Sequence, residues 1–242
     1  MEAERSSERL YVGATLRAAW SVYRSQARFL VPLAFCVTLP IAVVAGLAPQ
    51  KTLLVPVIFA FGATLRSPYR GMVAAMVRDV RAGRTAFSFG DLIRAPAPVL
   101  APLIAAGVLS GLGIGIGVVL IVPGLILWVV WALIEPVIMI ERVGVFDSFR
   151  RSRRLVRRNW LPVFGALFTP AVIGLLLGLA FHAAYGSLAT HSARAFLVLG
   201  FGALLDPIES LVVAVLYFRL REIEQSAAPA IEAPQAPAAP AT

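Results

Sequence analysis

The sequence predicts an all-α membrane protein: six transmembrane helices, with three amphipathic helices lying in the plane of the cytoplasmic surface. Three observations lead there. Of the 242 residues, 59% are hydrophobic and only 14% are charged, against about 45–50% and about 25% in an ordinary soluble domain. The apolar residues fall into runs of about 20, the length needed to cross a ~30 Å hydrocarbon core as helix. The basic residues are distributed very unequally between the segments that join those runs, a bias typical of chains that cross lipid.

Taken in order, residues 1–9 are polar, and the chain up to Arg28 is amphipathic. The first long apolar run starts only at Phe29. A signal peptide would place such a run directly after a short basic segment, so Phe29–Ala48 is expected to remain as the first span. Cys36 sits inside it as a small apolar side chain. The second span covers Thr52 to Val77 and carries Arg66 and Arg70, the third runs from Ala97 to Leu120, the fourth from Pro123 to Ile140, and the fifth from Leu161 to Tyr185. The sixth is expected from Pro207 to Leu220, behind a short apolar piece, Phe196–Leu205, of re-entrant or interfacial character. Its start reads as a helix cap: Asp206 at the N-cap, Pro207 at the first helical position and Glu209 as the capping-box acid. Residues 225–242 are rich in Ala and Pro and read as a disordered cytoplasmic tail.

Charge orients this layout. With the N-terminus inside, 18 of the 22 basic residues fall in cytoplasmic segments. The external segments hold only Lys51 and Arg194, and Arg66 and Arg70 lie within a span. Such a bias requires an even number of spans and places both termini in the cytoplasm.

The chain also repeats. LRAAWSVYRSQ (16–26) aligns with FRRSRRLVRRN (149–159), placing Arg17 on Arg150, Arg24 on Arg157 and Gln26 on Asn159. FGDLIRAP (89–96) aligns with VGATLRAA (12–19), placing Gly90 on Gly13 and Arg94 on Arg17. Each copy precedes a span, and each return span starts near a proline: Pro56, Pro123 or Pro207. The six-span domain of residues 10–224 therefore divides into three units of helix plus hairpin, about 10–81, 86–141 and 143–224. The third surface helix, FDSFRRSRRLVRRNW (146–160), holds six arginines. On a helical wheel Phe146, Phe149, Val156 and Trp160 share a face expected to meet lipid, beside an arginine stripe of Arg150, Arg151, Arg154, Arg157 and Arg158. With Arg17 and Arg24, these are the expected contacts to anionic lipid. A helix committed to lipid between two spans is not expected to read nucleic acid.

The stretch PGLILWVVWALIEPVIMIERVGVFDSFRRSRRLVRRNWLPVFG (123–165) combines a Pro-Gly helix start, a span ending in Pro-x-x-x-x-Glu and an arginine-rich helix ending in Asn-Trp. It resembles the glycerophosphoryl diester phosphodiesterase membrane domain family and its stand-alone bacterial relatives of unknown function. AGRTAFSFGDLIRA (82–95) and LYFRLRE (216–222) extend the likeness. The resemblance implies a multi-pass protein of the bacterial plasma (inner) membrane. It implies no catalytic residue here, since the family's chemistry belongs to a separate fused domain.

The residues themselves suggest no reaction, no metal and no cofactor. The two histidines, His182 and His191, are nine positions apart with no acid between them, short of the convergent ligands a metal site requires. The glycines of GVLSGLGIGIG (107–117) have small-xxx-small spacing within a span, which serves close helix packing in lipid. Charged groups inside the membrane are costly and often functional. Glu135 lies roughly 18 Å along its span and Arg66 roughly 15 Å along the second, at 1.5 Å per residue, so a Glu135–Arg66 pair is expected, with Arg70 nearer the cytoplasm. That group either ties the bundle together or lines a cytoplasm-facing pocket for an anionic headgroup or solute. Two functions follow: a non-enzymatic, lipid-associated scaffold or regulatory module that engages anionic lipid and membrane protein partners, or a small transporter or lipid-translocating protein.

Overall fold

The computed structural model describes residues 10–47, 55–84, 87–185 and 191–227. Among them every regular element is helical: α1 (Val12–Leu47), α2 (Val55–Arg81), α3 (Phe89–Arg94), a 3₁₀ turn at Ala97–Val99, α4 (Leu100–Val119), α5 (Val122–Val130), α6 (Ile134–Glu141), α7 (Val145–Arg157), α8 (Trp160–Tyr185) and α9 (His191–Ala227). Four helical stretches are long and apolar enough to cross a membrane: Val12–Val44, Phe89–Val118, Val122–Glu141 and Trp160–Ala180. The expected segment 1–9, the loop around Lys51 and the tail beyond Ala227 lie outside the described residues.

The two most charged long helices occupy the middle. In α2 every residue from Gly71 to Val77 is buried, and in α9 every residue from Ser210 to Tyr217. A helix buried on all sides must be surrounded by others, and α1, α4, α6 and α8 surround this pair. The outer helices keep exposed apolar side chains, such as Phe35 and Leu39 on α1, Ile104 and Ile116 on α4, and Leu175 and Leu179 on α8. Glycine permits the tightest approach: a Cβ at Gly107 of α4 would stand 2.8 Å from Thr64 Cα on α2. The α4–α5 hairpin closes through Ile121, at φ 58°, with the Val122 N–H donating to the Leu120 carbonyl, a γ-turn geometry that is rare for a side-chain-bearing residue.

Several expected boundaries move. The first surface helix and first span form one 36-residue helix, α1. Between Ala14 and Val31 no Gly or Pro interrupts the chain, so nothing breaks the helix at the expected junction. The fourth span is two helices, separated by a turn at Trp131–Leu133. Pro136 has no N–H for the carbonyl four residues earlier, at Ala132, and its ring crowds that carbonyl. The start expected at Pro207 for a sixth span is not a helix start. The helix α9 begins at His191 and passes through Pro207 without interruption, so the apolar piece 196–205 is part of it.

Candidate functional site

Five charged side chains from three helices meet in the middle of the bundle. Arg66 of α2 donates from Nε to Asp206 Oδ2 of α9 at 3.1 Å. One turn further on, Arg70 donates from Nη2 to Glu209 Oε1 at 2.8 Å. The other terminal nitrogen, Nη1, lies 3.8 Å from Glu135 Oε1 on α6. Ser67 Oγ donates to the same Glu135 oxygen at 3.4 Å. The spacing explains the ladder: residues four apart on α2 and three apart on α9 lie on one face of each helix, so two facing helices present two matched pairs.

This arrangement corrects two expectations. Asp206 and Glu209 do not cap a helix, because their backbone lies inside α9; their side chains neutralise Arg66 and Arg70 instead. The Glu135–Arg66 pair is replaced by Glu135–Arg70. Depth along a span does not choose between arginines one turn apart, and Asp206 engages Arg66, leaving Arg70 for Glu135. With both guanidinium groups held by carboxylates, the cluster offers an incoming anion no spare cation, contrary to an anion pocket. Asp206 and Glu209 also line a cavity of about 490 Å³ between α1, α8 and α9, whose other walls, from Leu16 and Trp20 to Gly174 and Val212, are mainly apolar.

The break in the fourth span connects this cluster to the arginine helix. Ser152 of α7 donates from Oγ to the Val130 carbonyl at 2.7 Å and accepts from the Leu133 N–H at 3.3 Å. One hydroxyl thus satisfies a donor and an acceptor that the turn frees, next to Glu135 in the first turn of α6.

The helix α7 itself lies differently from expectation. Its buried side is Ser148, Ser152, Leu155 and Val156, an i, i+4, i+7, i+8 stripe that packs on the protein. Of the residues expected on the lipid-facing side, Phe146 and Trp160 are 72% and 52% exposed, whereas Val156 turns into the protein at 1%. Small side chains admit close approach there, and Ser152 supplies the hydroxyl for the α5–α6 turn, while Ser148 Oγ donates to the Val145 carbonyl of its own helix. On the outward side Arg150, Arg153, Arg154, Arg157 and Arg158 are exposed, as are Arg17 and Arg24 on α1. Arg151 departs from the stripe. It donates from Nε to Glu141 at 3.1 Å and from Nη1 and Nη2 to both oxygens of Glu224, at 2.7 and 2.5 Å.

This clamp gathers the ends of α6, α7 and α9, and an Arg81–Glu222 bond adds the end of α2. Hydrogen bonding from Arg151 holds the Glu224 carboxyl below its ordinary value and raises Arg151 in turn. A lowered carboxyl stabilises the fold fully above the unfolded value of about 4.3, and that contribution disappears as the pH falls through the lower folded value. Glu224→Gln is therefore expected to remove this acid-side loss, seen as a smaller difference between melts at neutral pH and below about pH 4. Glu224 and Ser152 were not singled out from the sequence, where Glu141 figures only as the end of the Pro-x-x-x-x-Glu pattern, and neither was a second basic group. Arg78, Arg94 and Arg142 line a cavity of about 330 Å³ with Asp91, where Arg142 closes α6 in a left-handed conformation. The side chains of His182 and His191 lie outside the described residues.

Helices of membrane-crossing length and apolarity, packed around a buried network of ion pairs, define the class: an all-helical membrane protein with its charge at the centre. The chain belongs to the family described as Domain of unknown function (DUF7847), whose model matches residues 85–222. No solved structure matches it.

Proposed function

We propose that the protein is a non-enzymatic module of the bacterial plasma membrane that engages anionic lipid at its cytoplasmic face and holds or regulates membrane partners there. In this reading all six long helical segments span, both termini are cytoplasmic, and α7 lies at the membrane surface. The observation that carries it is the division of α7: five exposed arginines on one side, and a serine-lined side fastened to the bundle on the other. A rigidly held row of cations beside the membrane attracts anionic headgroups, each worth about 1 kcal/mol. The aligned copies support the same reading: Thr15 and Ser148 are both fully buried, while Arg17 and Arg150 are both exposed. The Arg78, Arg94 and Arg142 cavity adds basic charge at the ends of α2 and α6. The resemblance to the phosphodiesterase membrane domain family fits a membrane module without catalysis. Transport would call for a continuous polar path, whereas the cavity beside Asp206 and Glu209 is mostly apolar.

Replacing Arg150, Arg154, Arg157 and Arg158 together by Gln tests the proposal. The amount of phosphatidylglycerol retained by the purified protein through gel filtration in mild detergent is expected to fall by at least about tenfold, a cost of about 1.4 kcal/mol. Retention of phosphatidylcholine should not change. Equal phosphatidylglycerol retention by variant and wild type would count against the lipid reading.

A further inference from the structure

The central network holds one more carboxylate than it has cations. Arg66 is matched by Asp206 at 3.1 Å and Arg70 by Glu209 at 2.8 Å, which completes two one-to-one pairs. Glu135 is the third acid. Its residue is only 6% exposed, its nearest cation is the already engaged Arg70 at 3.8 Å, and its one side-chain hydrogen bond among the described residues, from Ser67, is long at 3.4 Å. Its second oxygen, Oε2, is buried without a hydrogen-bond partner.

An ionised carboxylate in such surroundings is disfavoured, because burial removes hydration that only good geometry and further hydrogen bonds can replace. Two features favour the charged form: the shared Arg70 and the N-terminal position of Glu135 in α6. Both are weakened here. Arg70 is committed to Glu209, and α6 has only eight residues. Among the described residues no other cation faces the acid in compensation: Ser67 and Arg70 come from α2 and Glu209 from α9, the last repelling a second negative charge. A proton on Glu135 balances the count at two cations and two anions.

We propose that this network is a one-proton binding site in which Glu135 holds the proton while Arg70 is paired with Glu209. The site has two balanced arrangements. When the proton passes from Glu135 to Glu209, the Arg70 guanidinium moves from Glu209 to the now ionised Glu135, and the net charge is unchanged. Glu209 is the exchange point, because it lines the cavity between α1, α8 and α9 while Glu135 is enclosed. Glu135 directly follows the turn that Ser152 fastens to α7, so the arrangement of the network acts on the junction between the bundle and the arginine helix.

Infrared spectroscopy of the purified full-length protein in lipid nanodiscs at neutral pH tests this, since a protonated carboxyl has a C=O stretch that shifts in deuterium oxide. The wild type is expected to show one such band, and Glu135→Gln to lose it while melting like the wild type. Glu209→Gln is the decisive second variant. It removes a negative charge without touching the proton holder, so Arg70 turns to Glu135, which ionises, and the band disappears there too. Glu224→Gln, at the far clamp, should keep it. A wild type without the band overturns the proposal, as does a band that survives in Glu209→Gln. Loss of the band on adding sodium in place of choline overturns it in favour of a metal-cation site. Failure of Glu135→Gln to fold leaves the wild-type and Glu209→Gln spectra to decide.

Discussion

Replacing Arg70 by Ala is expected to destabilise the protein by about 3–5 kcal/mol, the range for removing one partner of a buried ion pair. The side chain is mostly enclosed and serves two acids from two helices, at 2.8 Å to Glu209 and 3.8 Å to Glu135. Without it, Glu209 becomes an unmatched charge between α2 and α9. Thermal melts in detergent measure the loss. Because the damage comes from the stranded carboxylate, the double variant Arg70→Ala/Glu209→Gln should recover a large part of it. Arg66→Ala should cost less, since its side chain is about one third exposed and can be partly hydrated. Equal effects of the two substitutions would argue against unequal burial as the cause.

Ser152→Ala is the second large effect, although it removes only one oxygen. The hydroxyl accepts from the Leu133 N–H and donates to the Val130 carbonyl, and Ser152 is fully buried. Two backbone groups are left unpaired, each costing about 1–3 kcal/mol, so the variant should lose about 2–6 kcal/mol. Ser152→Thr, which retains the hydroxyl but adds a methyl group, tests packing separately from hydrogen bonding. If Ser152→Ala melts like the wild type while Ser152→Thr does not, the serine is there for its size. Amide hydrogen exchange should report faster exchange at Leu133 in Ser152→Ala than in the wild type, since opening at that turn requires less local free energy.

Much of the helical layout was legible in the residues. The apolar runs expected at Phe29–Ala48, Ala97–Leu120, Pro123–Ile140 and Leu161–Tyr185 each overlap a helical stretch of membrane-crossing length. Helix pitch and hydrocarbon thickness are fixed lengths, so a local count of apolar residues finds such elements. Prolines were harder to read. Pro123 does start a helix, at its second position. Pro207, in an equally cap-like setting, lies inside α9. The Asp-Pro-x-Glu pattern fits a cap, and only the arginines waiting on α2 make a continuous helix with outward-reaching acids the better use of those side chains.

The candidate site was half legible for the same reason. That Arg66, Arg70 and Glu135 lie within apolar runs is a property of the local sequence, as is the crowding of arginine on α7. Which charges meet is not local. The Arg66–Asp206 and Arg70–Glu209 bonds join residues 140 and 139 positions apart, and depth along a span leaves each helix free to rotate about its axis. Rotation also settled the face of α7. A wheel showed an aromatic stripe beside an arginine stripe, whereas the buried side carries Ser148 and Ser152, the latter bonded to the freed Val130 and Leu133 backbone groups. The amino-acid order thus set the number, length and polarity of the helices through interactions within a few turns. Packing assigned the partners of Arg66, Arg70 and Arg151, because burying a charge requires its counter-charge at one point in space, and that point is shared by helices far apart in the chain.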